Sequence, residues 1–277
     1  MAQQNVVVTG STQGLGFGYA REFLRRGHNV AICGRSQASV DAAIAQLESA
    51  ASGGARVIGK ACDAARLEDL QALWDLAAAS FGRVDVWLNN AGYARTGARF
   101  IDTTPQQIEA MVRANVIGSM NAAQVALAGM KRQRGGKLYL TLGGGGASGR
   151  VVPGMAVYST TKRAVKYFAD ALVKERREAN DDSILVGTIS PGVNITEGML
   201  REFADLTPAA RAAALKQLNF IGEHVETTTP WIVERILADS KQGNEITWLT
   251  TGRLLRRGVS MLFGGKRDIL SRYALKA

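Results

Sequence analysis

Apolar residues along this chain fall in short runs that alternate with longer stretches of helical period. Residues 5–9 (NVVVT) form a β-branched run ending at Gly10, after which a helical pattern continues to Arg26 and stops at Gly27. The alternation repeats, with 29–33 read as a strand, 39–50 as a helix, 56–62 as a strand, 67–81 as a helix and 84–88 as a strand. Further on, 108–127 is helical, 137–142 a strand, 156–178 a helix and 184–189 a strand, while 244–250 predicts a last strand. A further helix is expected to start at Pro230, Trp231 and Ile232. Apolar strands separated by amphipathic helices need crossover connections, which predicts an α/β fold: one doubly wound parallel sheet with helices on both faces. In such sheets ligands sit at the carboxyl ends of the strands.

At 277 residues the chain can bury one sizeable core, so a single domain over 1–277 is expected, with substrate-side helices in 194–240 and a basic tail in 251–277. No run of 18 apolar residues occurs, which argues against a membrane span. The opening residues enter a strand directly, so no secretory leader is expected. Two cysteines, Cys33 and Cys62, cannot build a disulfide framework and lack metal-site companions. Reduced cysteines in a cytoplasmic protein without a metal are the expectation. Net charge is +10, yet no nucleic-acid module accompanies it and the basic residues are dispersed except near the C-terminus. A phosphate-bearing cofactor is the better partner for this charge than nucleic acid.

The first strand runs into Gly10, Ser11, Thr12, Gln13, Gly14, Leu15 and Gly16 and then into a helix without a spacer. Gly10 permits a tight turn, and Gly14 and Gly16 let a pyrophosphate approach the N–H groups at the helix start. Where the second strand ends, an acidic residue would bind a ribose 2′-hydroxyl and repel a 2′-phosphate. This chain has Cys33, Gly34, Arg35 and Ser36 there, with no acid and an arginine placed for phosphate, so NADP(H) is expected. Asp63, after the third strand, is placed to meet the adenine edge; it also reads as a helix N-cap for a segment beginning near Ala65, and both roles can hold.

Tyr158 and Lys162 stand four residues apart in a predicted helix, so their heads serve one small volume. A phenol of pKa about 10 exchanges protons poorly at neutral pH. A neighbouring cation favours the phenolate, which suits Tyr158 to protonate an alkoxide as it forms from a carbonyl.

Taken in order, residues 9–16, Asp63, Asn89, Asn90, Ala91, Gly92, Asn115, Tyr158, Lys162, Pro191, Gly192 and Thr196 resemble the short-chain dehydrogenase/reductase family over roughly 5–196. The resemblance implies a Rossmann fold and reversible hydride transfer between NADP(H) and a small-molecule carbonyl or alcohol substrate. It implies that Asn89 to Gly92 stabilise the sheet beside the cofactor and that Asn115 holds a water in a proton relay. Lys162 would bind the nicotinamide ribose and lower the pKa of Tyr158, and Thr196 would contact the carboxamide. A homodimer or homotetramer is also implied. A second reading keeps the fold and cofactor without turnover, as an NADP(H)-binding regulatory protein.

One expected piece is displaced. The family's serine, about thirteen residues before the tyrosine, is replaced by Gly145 within a run of four glycines. The nearest hydroxyl is Ser148, and the substrate oxygen would be held either by Ser148 or by a loop N–H group. The loop GGGGASG, the following AVYSTTK and ISPG, and the later NEITWLTTGRLLRR are similar to the chlorophyll b reductase branch, which acts on the 7-formyl group of chlorophyll(ide) b. Met199, Leu200 and Phe203 either meet a large apolar substrate or pack a helix. The tail interleaves Arg253, Arg256, Arg257, Lys266, Arg267, Arg272 and Lys276 with Leu254, Leu255, Met261, Leu262 and Phe263. It reads first as a subunit contact or surface helix and second as a peripheral contact with an anionic membrane.

Overall fold

The computed structural model describes residues 2–204, 207–262 and 267–273. The chain runs β1 (Asn5–Val8), α1 (Gly14–Arg25), β2 (Asn29–Gly34), α2 (Gln37–Glu48), β3 (Val57–Ala61), α3 (Leu67–Phe81) and β4 (Val86–Asn89). Then follow α4 (Pro105–Val112), a π-turn (Arg113–Ile117), α5 (Gly118–Arg132), β5 (Gly136–Thr141), α6 (Ala156–Glu178) and β6 (Ile184–Ser190). The remainder comprises β7 (Val193–Ile195), α7 (Glu197–Ala204), α8 (Pro208–Ile221), β8 (Gly222–His224), α9 (Val225–Ala238), β9 (Glu245–Thr247) and α10 (Thr251–Leu262).

Seven strands form one parallel sheet in the order β3-β2-β1-β4-β5-β6-β9, as the alternating pattern predicts. The order reverses between β1 and β4, which opens a crevice at their carboxyl ends. Side chains alternate across the sheet: Val7 and Trp87 join one core with α3, α5 and α6, while Val6, Val8 and Leu88 join the other with α1, α2 and α9. That is why the central strands are apolar throughout rather than on one face. Trp87 stacks on Trp74 of α3 with ring centroids 6.0 Å apart.

Three local expectations are corrected. The stretch 108–127 is not one regular helix; α4 passes through the π-turn at Asn115 before α5 begins. The helix expected to start at Pro230 starts at Val225, with His224 extended before it and Glu226 in its first turn. Pro230 therefore lies inside α9, and its carbonyl accepts from Arg26 Nη2 at 3.2 Å. The last strand spans three residues, because Thr188, Ile189 and Ser190 of β6 pair only with Glu245, Ile246 and Thr247. A small parallel pair, β7 with β8, was not anticipated; it carries a third apolar cluster of Ile195, Leu215, Leu218, Ile269 and Leu270. Met199, Leu200 and Phe203 pack against that cluster, so they serve the helix packing. In the tail, Phe263, Lys266, Lys276 and the Met261 side chain lie outside the described residues.

Candidate active site

The crevice between β1 and β4 is built by the glycine-rich turn and the segment after β4. Gly10 adopts φ +62°, and a β-carbon there would come within 2.8 Å of the Ala91 backbone. A β-carbon on Gly16 would collide with the Gly10 carbonyl. Thr9 Oγ1 accepts from the N–H groups of Asn90 and Ala91, both at 3.0 Å. Asn90 Nδ2 returns the tie to the Thr9 and Gly10 carbonyls at 3.1 Å. Ser11 is structural: its Oγ donates to the Val8 carbonyl at 2.5 Å and accepts from Cys33 N at 3.0 Å. At the start of α1, Gln13 makes no side-chain cap and no acid stands in the first turn. The N–H groups of Gly14, Leu15 and Gly16 are thus left for an anion beside the positive end of the helix.

At the end of β2, a β-carbon on Gly34 would come within 2.6 Å of Thr12 Cγ2. Contact with the glycine-rich turn therefore keeps an acidic side chain off this position. Arg35 beside it is exposed, and among the described residues it makes no ion pair. Asp63 Oδ1 accepts from Ala65 N at 3.0 Å, and Asp63 Oδ2 lies 3.8 Å from Arg113. The following helix starts at Leu67 with Arg66 at its N-cap, so Asp63 shapes the turn before the helix rather than capping it.

Tyr158 and Lys162 lie in the first two turns of α6, beneath β5 and beside the π-turn. Lys162 is 4% exposed; its Nζ donates to the Thr141 carbonyl at 3.0 Å and stands 6.0 Å from the Tyr158 ring centroid. Asn115, fully buried, accepts from Tyr93 N and donates to the Tyr93 carbonyl, each at 2.8 Å. Asn115 Nδ2 also donates to Thr161 Oγ1 at 2.9 Å, and Thr161 Oγ1 donates to the Tyr158 carbonyl at 2.7 Å. The π-turn is what brings Asn115 inward, a placement typical of functional sites. A β-carbon on Gly92 would come within 2.9 Å of Asn115 Oδ1 and 3.4 Å of Lys162 Nζ, so glycine keeps this pocket open.

Electrostatically, the site differs from the sequence reading. Burial, with the Glu202 carboxylate adding to it, pushes the Tyr158 phenol up to about 12. Burial pushes Lys162 down to about 8. The cation does not lower the phenol here because loss of solvent around both groups outweighs their mutual influence. At neutral pH the phenol keeps its proton and Lys162 remains mostly charged.

The glycine loop after β5 passes directly over the phenol. A β-carbon on Gly143 would collide with the Tyr158 hydroxyl, so Gly143, fifteen residues before the tyrosine, faces it. Gly145, found by counting thirteen, turns instead toward the Arg150 carbonyl and Ser159, at φ +78°. The structure does not bring Ser148 to Tyr158: it is exposed, and its Oγ accepts from Arg150 N at 3.2 Å. On the far side, a β-carbon on Gly14 would lie 3.3 Å from Thr196 Cγ2, and Thr196 Oγ1 accepts from Met199 N at 3.3 Å at the start of α7. Asn194 Nδ2 donates to the Pro191 carbonyl at 2.8 Å, fixing the turn at Gly192.

Sequence reasoning missed the residues that tie α7 to the segment after β4 and to the glycine turn. Glu202 on α7 accepts from Thr96 N and Thr96 Oγ1, at 3.2 and 2.8 Å. Arg201 donates to Gln13 Oε1 at 3.4 Å, which ties α7 to the cofactor turn. Gly97 N donates to the Gly154 carbonyl at 2.8 Å, joining the segment after β4 to the glycine loop. Nearby in the chain, Phe100, Ile101 and Val151 are left exposed, the last two at 83% and 89%. Thr161 was legible only as a neighbour of Lys162.

The short chain dehydrogenase family matches residues 4–206. A probable chloroplastic chlorophyll(ide) b reductase of Arabidopsis thaliana is 34% identical over 91% of this chain and 52% of its own length. A chloroplastic chlorophyll(ide) b reductase of Oryza sativa subsp. japonica is 31% identical over 95% of this chain and 77% of its own. The chain spans about half the length of the first of these relatives. Among solved structures, levodione reductase superposes with a TM-score of 0.79 at 21% identity, over 92% of this chain and 99% of that one. An actinorhodin polyketide ketoreductase variant solved with NADPH gives 0.76 at 23%, over 88% and 95%. At those identities the structures speak for the fold alone. With the family match over most of the chain and the conjunction of glycine turn, Asn115, Tyr158 and Lys162 at one crevice, this chain belongs to the short-chain dehydrogenase/reductase family.

Proposed function

We propose that the chain is an NADPH-dependent reductase of an aldehyde or ketone, reversible as an alcohol dehydrogenase, with Tyr158 as proton donor. The observation that carries this reading is the Tyr158 phenol packed beneath the glycine loop, with Lys162 and the Asn115–Thr161 chain behind it. The residues present fit the cofactor: added β-carbons at Gly10 and Gly16 would fill the cradle, and α1 starts uncapped. Thr12, Gln13, Gly14 and Leu15 would line the pyrophosphate, Asp63 and Ala91 the adenosine, and Pro191, Gly192 and Thr196 the carboxamide, while the buried Ser11 holds the turn in shape. Arg35 would take the 2′-phosphate. When bound, NADPH supplies the hydride.

What the chain supplies is orientation and a proton. Tyr158 holds its proton at Oη at neutral pH and gives it to the substrate oxygen as negative charge develops there. Lys162 donates to the nicotinamide ribose and, once the proton has left, its charge favours the phenolate. Asn115 holds the water through which the proton is replaced. The role of the missing serine passes to the loop backbone, since Ser148 lies on the exposed side.

The exposed Phe100, Ile101 and Val151 support a bulky apolar substrate, and the chlorophyll(ide) b reductase relatives support a formyl group on such a molecule. Exposed Ile117, Met120 and Tyr167, around the π-turn, α5 and α6, support a homodimer or homotetramer. Two buried free cysteines support a reducing compartment such as the cytoplasm. A second reading, an NADP(H)-binding regulator with little turnover, draws on the absence of any hydroxyl at Gly143. An aldehyde and ketone panel followed by NADPH absorbance separates the two. Turnover lost by about 10²–10⁴-fold in Tyr158→Phe, with cofactor affinity kept, supports the reductase. Cofactor binding with no turnover of any carbonyl supports the regulator.

A further inference from the structure

The C-terminal helix α10 and the surface it covers hold a group of guanidinium ions that the redox chemistry does not use. Arg257 and Arg267 both pair with Glu223, the latter at 3.0 Å. They also donate to the last carbonyls of α8, Arg257 to Ile221 at 3.1 Å and Arg267 to Phe220 at 3.0 Å. The single carboxylate is thereby fully engaged. Arg253 lies 3.6 Å above the Trp248 ring and 4.7 Å from the ring of Trp231, which Arg235 also covers at 3.6 Å. Among the described residues no carboxylate pairs with Arg253 or Arg256.

These groups surround a cavity of about 550 Å³ lined in part by Glu223, Trp248, Arg253, Arg256, Arg257 and Arg267. Four guanidinium groups face it against one carboxylate. Trp248 is only 7% exposed, and its indole N–H has no hydrogen-bond partner among the described residues. The lining is thus rich in donors and poor in acceptors. Like charges held this close repel unless an anion sits among them. Burial first, and then the like charges of Arg235 and Arg256, hold Arg253 below the ordinary arginine value.

We propose that this cavity is a binding site for a phosphate-bearing ligand, held by Arg253 and Arg256 with Arg257 and Arg267 at its wall. Guanidinium forks match phosphate oxygens in pairs, and the volume admits a phosphate with part of the molecule that carries it. The site adjoins the cofactor crevice, because a β-carbon on Gly192 would lie 3.2 Å from Trp248 Cδ1. It does not depend on the proposed reaction. Two sources share the chemistry: a soluble phosphate ester, or the headgroup of an anionic lipid reached beside the exposed Leu255, Val259 and Leu262 of α10.

The test uses the full chain and Arg256→Glu, an exposed position outside the catalytic machinery, with circular dichroism to verify folding. Pyrophosphate is titrated by calorimetry, and vesicles of phosphatidylglycerol with phosphatidylcholine, or of phosphatidylcholine alone, are tested by co-sedimentation. Saturable pyrophosphate binding that weakens about tenfold or more in the variant supports the site with a soluble ligand. Sedimentation with the anionic vesicles alone, lost in the variant, supports the site with a lipid headgroup. If neither probe binds, or if parent and folded variant bind equally, the proposal is overturned. A second variant, Arg253→Gln, should weaken the same binding.

Discussion

The hydroxyl of Tyr158 fills the place that a β-carbon on Gly143 would take, so that no side chain at all fits between loop and phenol. A methyl group placed there pushes the phenol out of position. Gly143→Ala should lower kcat/KM for carbonyl reduction by at least about 10²-fold, the usual cost of misplacing a reacting group by an ångström. Cofactor affinity, read by quenching of nicotinamide fluorescence, should stay near that of the parent. Full activity in Gly143→Ala would show that the phenol works from another position.

Ser148 supplies the contrast. Its hydroxyl is engaged with Arg150 N on the exposed side of the loop. Ser148→Ala should therefore turn over within a few-fold of the parent. A loss of about 10²-fold, typical of a deleted oxyanion donor, would return the substrate oxygen to Ser148.

Lys162 links pH, stability and activity. Burial lowers it from 10.5 to about 8, so the folded protein binds fewer protons than the unfolded chain between those values. Stability contributed through this group rises with pH across that window, and below about pH 8 the buried charge costs roughly 3 kcal/mol. Lys162→Met should remove that pH dependence and stabilise the protein at pH 7, less the lost bond to the Thr141 carbonyl. Urea unfolding at pH 7 and pH 10 measures both. Activity should move the opposite way: lost in the variant, and in the parent falling as pH rises through about 8, where the ammonium gives up its proton. A flat profile to pH 10 would remove Lys162 from the mechanism.

The proposed role of Arg35 in choosing the cofactor is open to a direct test. With Gly34 packed against Thr12 and no acid at the strand end, the exposed guanidinium is the proposed partner of a 2′-phosphate. NADPH should bind more tightly than NADH, and Arg35→Ala should narrow the gap by about 1–3 kcal/mol. Equal affinities in the unmodified protein would overturn the assignment.

Much of the scaffold was legible residue by residue. The stretches 67–81 and 156–178 are α3 and α6 with the same bounds, because each carries an uninterrupted helical period. The glycine turn was legible because it lies between strand and helix with no spacer. Elsewhere local signals misled. Pro230 looked like a helix start, yet α9 had already begun at Val225. The reading of 108–127 as one helix missed the π-turn at Arg113–Ile117.

By itself the sequence determined what short-range rules control: the βα alternation of the central sheet, its parallel strands, the glycine turn after β1 and the pairing of Tyr158 with Lys162. Periodicity, backbone freedom and i,i+4 spacing act within a few residues and need no knowledge of the rest of the chain. The tertiary structure alone decided which glycine faces the phenol, because the loop bends at Gly143 and Gly145 in ways counting cannot follow. It alone joined Asn115 to Thr161 and Thr96 to Glu202, pairs separated by 46 and 106 positions. It also inverted the expected electrostatics at Tyr158, since burial depends on every segment folded over the site. The arginines around Trp248 follow the same rule: scattered along the tail they read as surface charge, and only packing against Glu223 and the end of α8 gathers them around one cavity.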